Sequence, residues 1–144
     1  MNEPGQTPDP DLAADADPLA PQIRALFAAL DHAGELPGAS ARPGRVVRGE
    51  AGREAQGTRV CFALRLLEGR IAVARFRAYG CPHTLATCEW LARRLEGHSV
   101  AGGALEAPGV GNPLEWSERL GLPGAKLGRL LVIEDALRAA LAQA

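Results

Sequence analysis

Ile71–Ala72–Val73–Ala74–Arg75–Phe76–Arg77–Ala78–Tyr79–Gly80–Cys81–Pro82 decides the reading of this chain, because it runs from a strand straight into the start of a helix. Arg75 and Arg77 alternate with Ala74, Phe76 and Ala78, the period of two that a strand with one buried face requires. Gly80 breaks the strand, and Pro82 falls where a missing N–H costs nothing, in a first helical turn. From there Leu85, Cys88, Leu91, Ala92 and Leu95 recur as an apolar stripe until Gly97 stops them.

Upstream, Val60, Phe62, Leu64 and Leu66 alternate with Arg59, Cys61, Ala63 and Arg65, and Glu68–Gly69 supplies a turn. The two runs therefore predict an antiparallel hairpin. Arg45–Val46–Val47–Arg48 predicts a brief edge strand, preceded by a Gly- and Pro-rich loop over 36–43. Ile23, Leu26, Phe27 and Leu30 predict a short amphipathic helix from Pro21 to the stop at Gly34. Downstream, 98–111 reads as loop, Asn112 as the cap of a short helix over 113–120, and 121–124 as a break. A last helix is expected over about 125–142, with Leu127, Leu130, Leu131, Ile133 and Leu137 on its broad apolar face. The order predicts an α+β fold, a small antiparallel three-stranded sheet covered by helices.

The 144 residues suit one domain, 21–144, behind a tail over 1–20. That tail holds five acidic residues, four prolines and no Lys or Arg, a composition expected to stay disordered. With 47% apolar residues and a net charge of −1, the chain reads as globular, without the positive field a nucleic-acid partner would need. No stretch approaches the roughly 20 apolar residues of a membrane helix and no basic-then-apolar leader opens the chain, so a cytoplasmic location without membrane partners is expected. Three cysteines are too few for a disulfide framework and are expected as free thiols.

Cys81 is the cysteine with chemical promise. At a helix start, unpartnered N–H groups and the positive end of the macrodipole favour the thiolate, making it a nucleophile or a soft-metal ligand, or else a simple capping residue. His83 could lower its pKa further or coordinate beside it. Cys88 lies two turns on, within the apolar stripe, and reads as core. Cys61 shares a strand face with Arg59 and Arg65 and reads as a partly exposed bystander. His32 and His98 lie near helix ends and read as carbonyl caps. Nucleotide-binding glycine motifs and Cys-x-x-Cys pairs are missing from the sequence.

Ala74–Arg75–Phe76–Arg77–Ala78–Tyr79–Gly80–Cys81 resembles the strand and ligand loop of the IscU/NifU N-terminal scaffolds of iron–sulfur cluster assembly. Ile133 to Leu141 is similar to that family's final helix, and Leu122–Pro123–Gly124–Ala125–Lys126 to its chaperone-recognition stretch, so the resemblance spans about 43–144. It implies a non-enzymatic scaffold with a cysteine desulfurase and an Hsp70-type chaperone as partners. It also implies a cluster or iron held by three cysteines, an aspartate and often a histidine. Aligned from Cys81, the first cysteine position holds Gln56 and the aspartate position Thr58, while the helix match places Gly128 and Arg129 at the His-Cys pair. Cys81 is the ligand retained.

The resemblance therefore implies an iron–sulfur cluster assembly protein that binds iron or a cluster through Cys81, with His83 beside it. A two-iron cluster ordinarily takes four ligands, and Arg129 adds a fixed positive charge, so further ligands would come from a second chain or an exogenous thiol. Two other readings fit the same residues. Cys81 could accept sulfur from a desulfurase as a persulfide, which needs one cysteine. Alternatively, the chain could be a metal-free scaffold that binds desulfurase or chaperone as a regulator.

Overall fold

The computed structural model describes residues 19–38, 43–100 and 110–144. The acidic segment 1–18 and most of the loop expected over 98–111 lie outside them. Within them the elements run α1 (Pro21–Ala28), β1 (Arg45–Arg53), β2 (Thr58–Leu67), β3 (Arg70–Tyr79), α2 (Pro82–Leu95), α3 (Pro113–Leu120) and α4 (Leu127–Leu141). Short 3-10 turns at Glu54–Gln56 and Gly124–Lys126 precede β2 and α4. This is the expected α+β order.

The strands form one antiparallel sheet in the order β1-β2-β3. Phe62 stands opposite both Gly49 and Phe76, and Leu64 opposite Val47 and Ala74, so the apolar rows of all three strands share one face. That face is the core: Phe62 and Leu64 are fully buried, and Phe62 meets Phe76 with ring centroids 6.3 Å apart. Helix α4 lies over β1 and β2, α2 over β3, and α1 packs against α2. Burying Ile133, Leu137, Leu91 and Leu95 completely contributes on the order of 2 kcal/mol for each side chain, which is what fixes both helices on the sheet.

β1 is nine residues long rather than the four that its apolar run suggests. Gly49 and Gly52 carry little strand propensity, but pairing with Thr58–Leu66 supplies their hydrogen bonds, and pairing outweighs local preference. Gly49 has a second role: a Cβ there would fall on the Ala136 carbonyl and the Ala140 amide nitrogen, so α4 rests directly on the β1 backbone.

The short helix α3 forms as expected. Asn112 Oδ1 accepts from the Glu115 N–H at 3.1 Å, and Gly121 ends the helix at φ 64°. Trp116, fully buried, donates its indole N–H to the Val110 carbonyl at 2.6 Å. The chain then turns back through Leu122–Pro123 into α4, and Lys126, just before that helix, lies close enough to Cys81 for its charge to act on the thiol.

Candidate functional site

Cys81 is the N-cap of α2, with an extended backbone at φ −78° and ψ 168°. Its carbonyl accepts the helix's first hydrogen bond, from the Leu85 N–H at 3.1 Å. The side chain closes no capping hydrogen bond, so the sulfur is not consumed by the helix and stays half-buried. Thr84 Oγ1 lies 3.5 Å from it. Gly80 makes room for that hydroxyl: a Cβ at position 80 would come within 3.0 Å of the Thr84 Cβ.

Partial burial pushes the Cys81 thiol up, but the Thr84 hydroxyl, the backbone N–H of Thr84, the Lys126 ammonium and the backbone N–H of His83 outweigh it. The net result is a thiol more acidic than an ordinary cysteine. Lys126 is the cation that acts on this sulfur. Lys126 ends the 3-10 turn that carries the chain from α3 into α4, and only the tertiary path of that turn brings it to the sulfur. The signal in sequence is the Leu122–Lys126 stretch itself, read there as a recognition segment.

His83 is 7% exposed and sits in the first turn of α2. Toward the sulfur it offers a backbone N–H, while its carbonyl accepts from the Thr87 hydroxyl at 2.7 Å.

The four positions aligned with lost ligands come together. Gln56, Thr58, Gly128 and Arg129 line one cavity of about 260 Å³, completed by Ala125 and Val132. Gln56 closes the turn before β2, and Gly57, at φ 89°, reverses the chain so that Thr58 begins the strand against α4. Arg59 pairs with Tyr79, the last residue of β3, so Thr58 and the Gly80–Cys81 junction both lie at that end of the ladder. Thr58 is 5% exposed, and the Nε of Arg129 is buried without a hydrogen-bond partner.

This donor set does not fit iron or a cluster. An amide, a hydroxyl, a bare glycine and a guanidinium occupy the places of thiolates, carboxylate and imidazole, and the guanidinium is a permanent cation. Among the described residues no three His, Cys, Asp or Glu side chains group in a way that could hold a metal ion.

The other sequence candidates lie elsewhere. Cys88 is fully buried in the core, and burial together with Glu89 holds its thiol far above the ordinary range. Cys61 is half-buried on the open sheet face, in a shallow cavity of about 420 Å³ with Glu50, Glu54, Arg59 and Arg77. That larger cavity is charge-matched, since Arg59 already holds Glu50 at 2.6 Å. His32 does not cap a helix: its ring nitrogens face Glu89 and Glu96. The His98 backbone donates to the Leu95 carbonyl and accepts from the Ile71 N–H.

The sequence model of the NifU-like N-terminal domain matches residues 22–143. The chain belongs to that family. It is 36% identical over 97 residues to a bifunctional NifU/MnmA protein of Rubrobacter xylanophilus, a match covering 63% of this chain and 18% of that protein. In fold it is similar to a protein of Fervidobacterium islandicum described as an iron–sulfur cluster assembly scaffold for the SUF system, with TM-score 0.60 and 13% identity over 85% of this chain and 95% of the other. A NifU-like N-terminal protein of Brucella abortus is similar too, with TM-score 0.56 and 16% identity over 90% and 99%. No helix among the described residues is long and apolar enough to cross a membrane.

Proposed function

We propose that this chain works in iron–sulfur cluster assembly as a sulfur carrier of the NifU-like scaffold family, with Cys81 as its one working thiol. The observation that carries this reading is the acidified, half-exposed Cys81 thiol beside Lys126, in a place where the other ligand positions hold Gln56, Thr58, Gly128 and Arg129. Membership of the family supports the assembly role.

In this reading the Cys81 thiolate attacks the outer sulfur of a cysteine desulfurase persulfide. A new S–S bond forms at Cys81, the bond within the desulfurase persulfide breaks, and the desulfurase thiolate leaves. Lys126 and the start of α2 stabilise the attacking thiolate and then the terminal sulfur of the product. His83 supplies a backbone N–H to the same sulfur.

A second reading, favoured by the family and by the exposure of Cys81, has iron or a cluster held between Cys81 and ligands from outside this chain. Two measurements on wild type and Cys81→Ala separate them. Incubation with desulfurase and labelled cysteine is expected to leave a reducible label on wild type alone, and its absence would sink the carrier reading. Stoichiometric iron and sulfide that depend on Cys81 after anaerobic reconstitution would establish the second. An Hsp70-type chaperone is the further partner proposed, at the Leu122–Lys126 stretch.

A further inference from the structure

We infer that the cavity between the β2 start and α4 is a receptor for a small anion, the carboxylate of a low-molecular-weight thiol, seated on Arg129 beside Cys81.

The cavity's chemistry is that of an anion site. Arg129 brings a charge that no pH near neutrality removes, and its Nε is buried with no hydrogen-bond partner. Among the described residues neither Arg129 nor the neighbouring Lys126 has a carboxylate in ion-pair contact, unlike Arg59, Arg75, Arg77, Arg93 and Arg138. A half-buried guanidinium whose Nε has neither water nor a protein acceptor lacks part of the solvation it has in water, and an anion that accepts from it recovers that loss. Gln56 and Thr58 add an amide and a hydroxyl that can donate.

Size and position narrow the class. About 260 Å³ lies below the roughly 300–1,000 Å³ of sites that enclose drug-sized ligands, so an amino-acid-sized molecule or the acidic end of a short peptide suits it. Thr58 precedes Arg59, which pairs with Tyr79 at the end of β3 just before Gly80–Cys81, and Ala125, on the cavity wall, precedes the Lys126 that acidifies Cys81. A molecule anchored by its carboxylate on Arg129 is thereby directed toward the strand–helix junction that carries Cys81. A small thiol held there could take the sulfur onward: its thiolate attacks the outer sulfur of the Cys81 persulfide, the Cys81 S–S bond breaks, Cys81 leaves as thiolate, and the small molecule departs as a persulfide. That transfer rests on the sulfur-carrier reading, whereas the anion site does not.

The test keeps the two apart by using a probe without a free thiol. Titrating the full chain at low salt with S-methylcysteine, followed by amide chemical shifts, is expected to show saturable binding centred on Thr58 and Arg129. Arg129→Gln should weaken it at least about tenfold, Arg129→Lys should restore part of it, and Arg138→Gln, at the other end of α4, should leave it unchanged. Thr58→Val should weaken it less and reports independently if Arg129→Gln does not fold. Equal binding of S-methylcysteine methyl ester, or unaltered binding by Arg129→Gln, would overturn the proposal. So would saturation by inorganic sulfate with none by S-methylcysteine, which would make the cavity an oxoanion site instead.

Discussion

His32 Nδ1 lies 2.6 Å from Glu89 Oε2, and Glu89 is completely buried although 57 residues separate the two. The same carboxylate accepts the His32 backbone N–H at 2.8 Å and the Arg93 Nε at 2.7 Å. His32 Nε2 reaches Glu96 Oε1 at 3.0 Å, and Glu96 in turn accepts the Ala74 N–H and contacts Arg75. The cluster ties the segment after α1 to α2 and to the free edge of β3, where Phe76 exchanges backbone hydrogen bonds with His32 and Gly34.

Removing a partner from this cluster is therefore expected to be costly. Glu89→Ala leaves the His32 Nδ1, the His32 amide and the Arg93 Nε without their acceptor and should destabilise the fold by about 3 kcal/mol. Arg93→Ala should cost clearly less, because Arg93 is 42% exposed and water can replace part of what it gives. Urea midpoints for the two variants check the order, and equal losses would mean that the buried carboxylate is not the centre of the cluster.

The acidity of Cys81 gives a pH dependence. Its folded pKa lies below that of the unfolded thiol, so the fold favours the thiolate. This stabilisation is present above the unfolded pKa and is lost as pH falls through the folded value. The rate of Cys81 alkylation by iodoacetamide should accordingly reach half its plateau at lower pH in the native chain than in urea. Lys126→Ala and Thr84→Val should each move the native midpoint upward, as each removes one of the groups that lower it. An unmoved midpoint in Lys126→Ala would show that the ammonium does not act on the sulfur.

What the sequence reveals and what it hides divide along contact range. The hairpin, α2 and α3 are legible because alternation, the apolar stripe and the Asn112 and Gly121 caps are local signals. The full length of β1 is not, since Gly49 and Gly52 enter a strand only because β2 and α4 are there to meet them. Cys81 is legible at its junction, and alignment finds Gln56, Thr58, Gly128 and Arg129. Their convergence on one cavity, the place of Lys126 at the sulfur and the partners of His32 depend on contacts over many residues, which no spacing rule carries.

The three thiols should separate by environment. Cys88 is fully buried and held well above the ordinary thiol range by desolvation and by Glu89. A native chain treated with a thiol-exchange reagent should therefore label at Cys81 and Cys61, with Cys88 reacting only after unfolding. Above an ordinary thiol pKa, Cys88 ionises in the unfolded chain but not in the folded one, so its contribution to stability falls as pH rises past that point. Peptide mapping after labelling checks the assignment, and native labelling of Cys88 would contradict the core described here.

Gly49 couples the sheet to the site. Because α4 rests on the β1 backbone at Ala136 and Ala140, Gly49→Ala must either shift the helix or strain the strand, a cost of about 1–3 kcal/mol for the added methyl group and more for Gly49→Val. The N-terminal end of the same helix carries Arg129 and follows directly on Lys126, so a displaced α4 moves both cations relative to Cys81. Gly49→Ala should thus lower the urea midpoint and also raise the pH midpoint for alkylation of a residue it does not touch. Gly57→Ala offers the contrast: nothing lies within 4 Å of its added Cβ, and its cost comes from the left-handed φ of 89° alone. A stability loss in Gly49→Ala with no change in the Cys81 midpoint would mean that α4 yields at its C-terminal half while the turn bearing Lys126 stays fixed by Leu122 and α3.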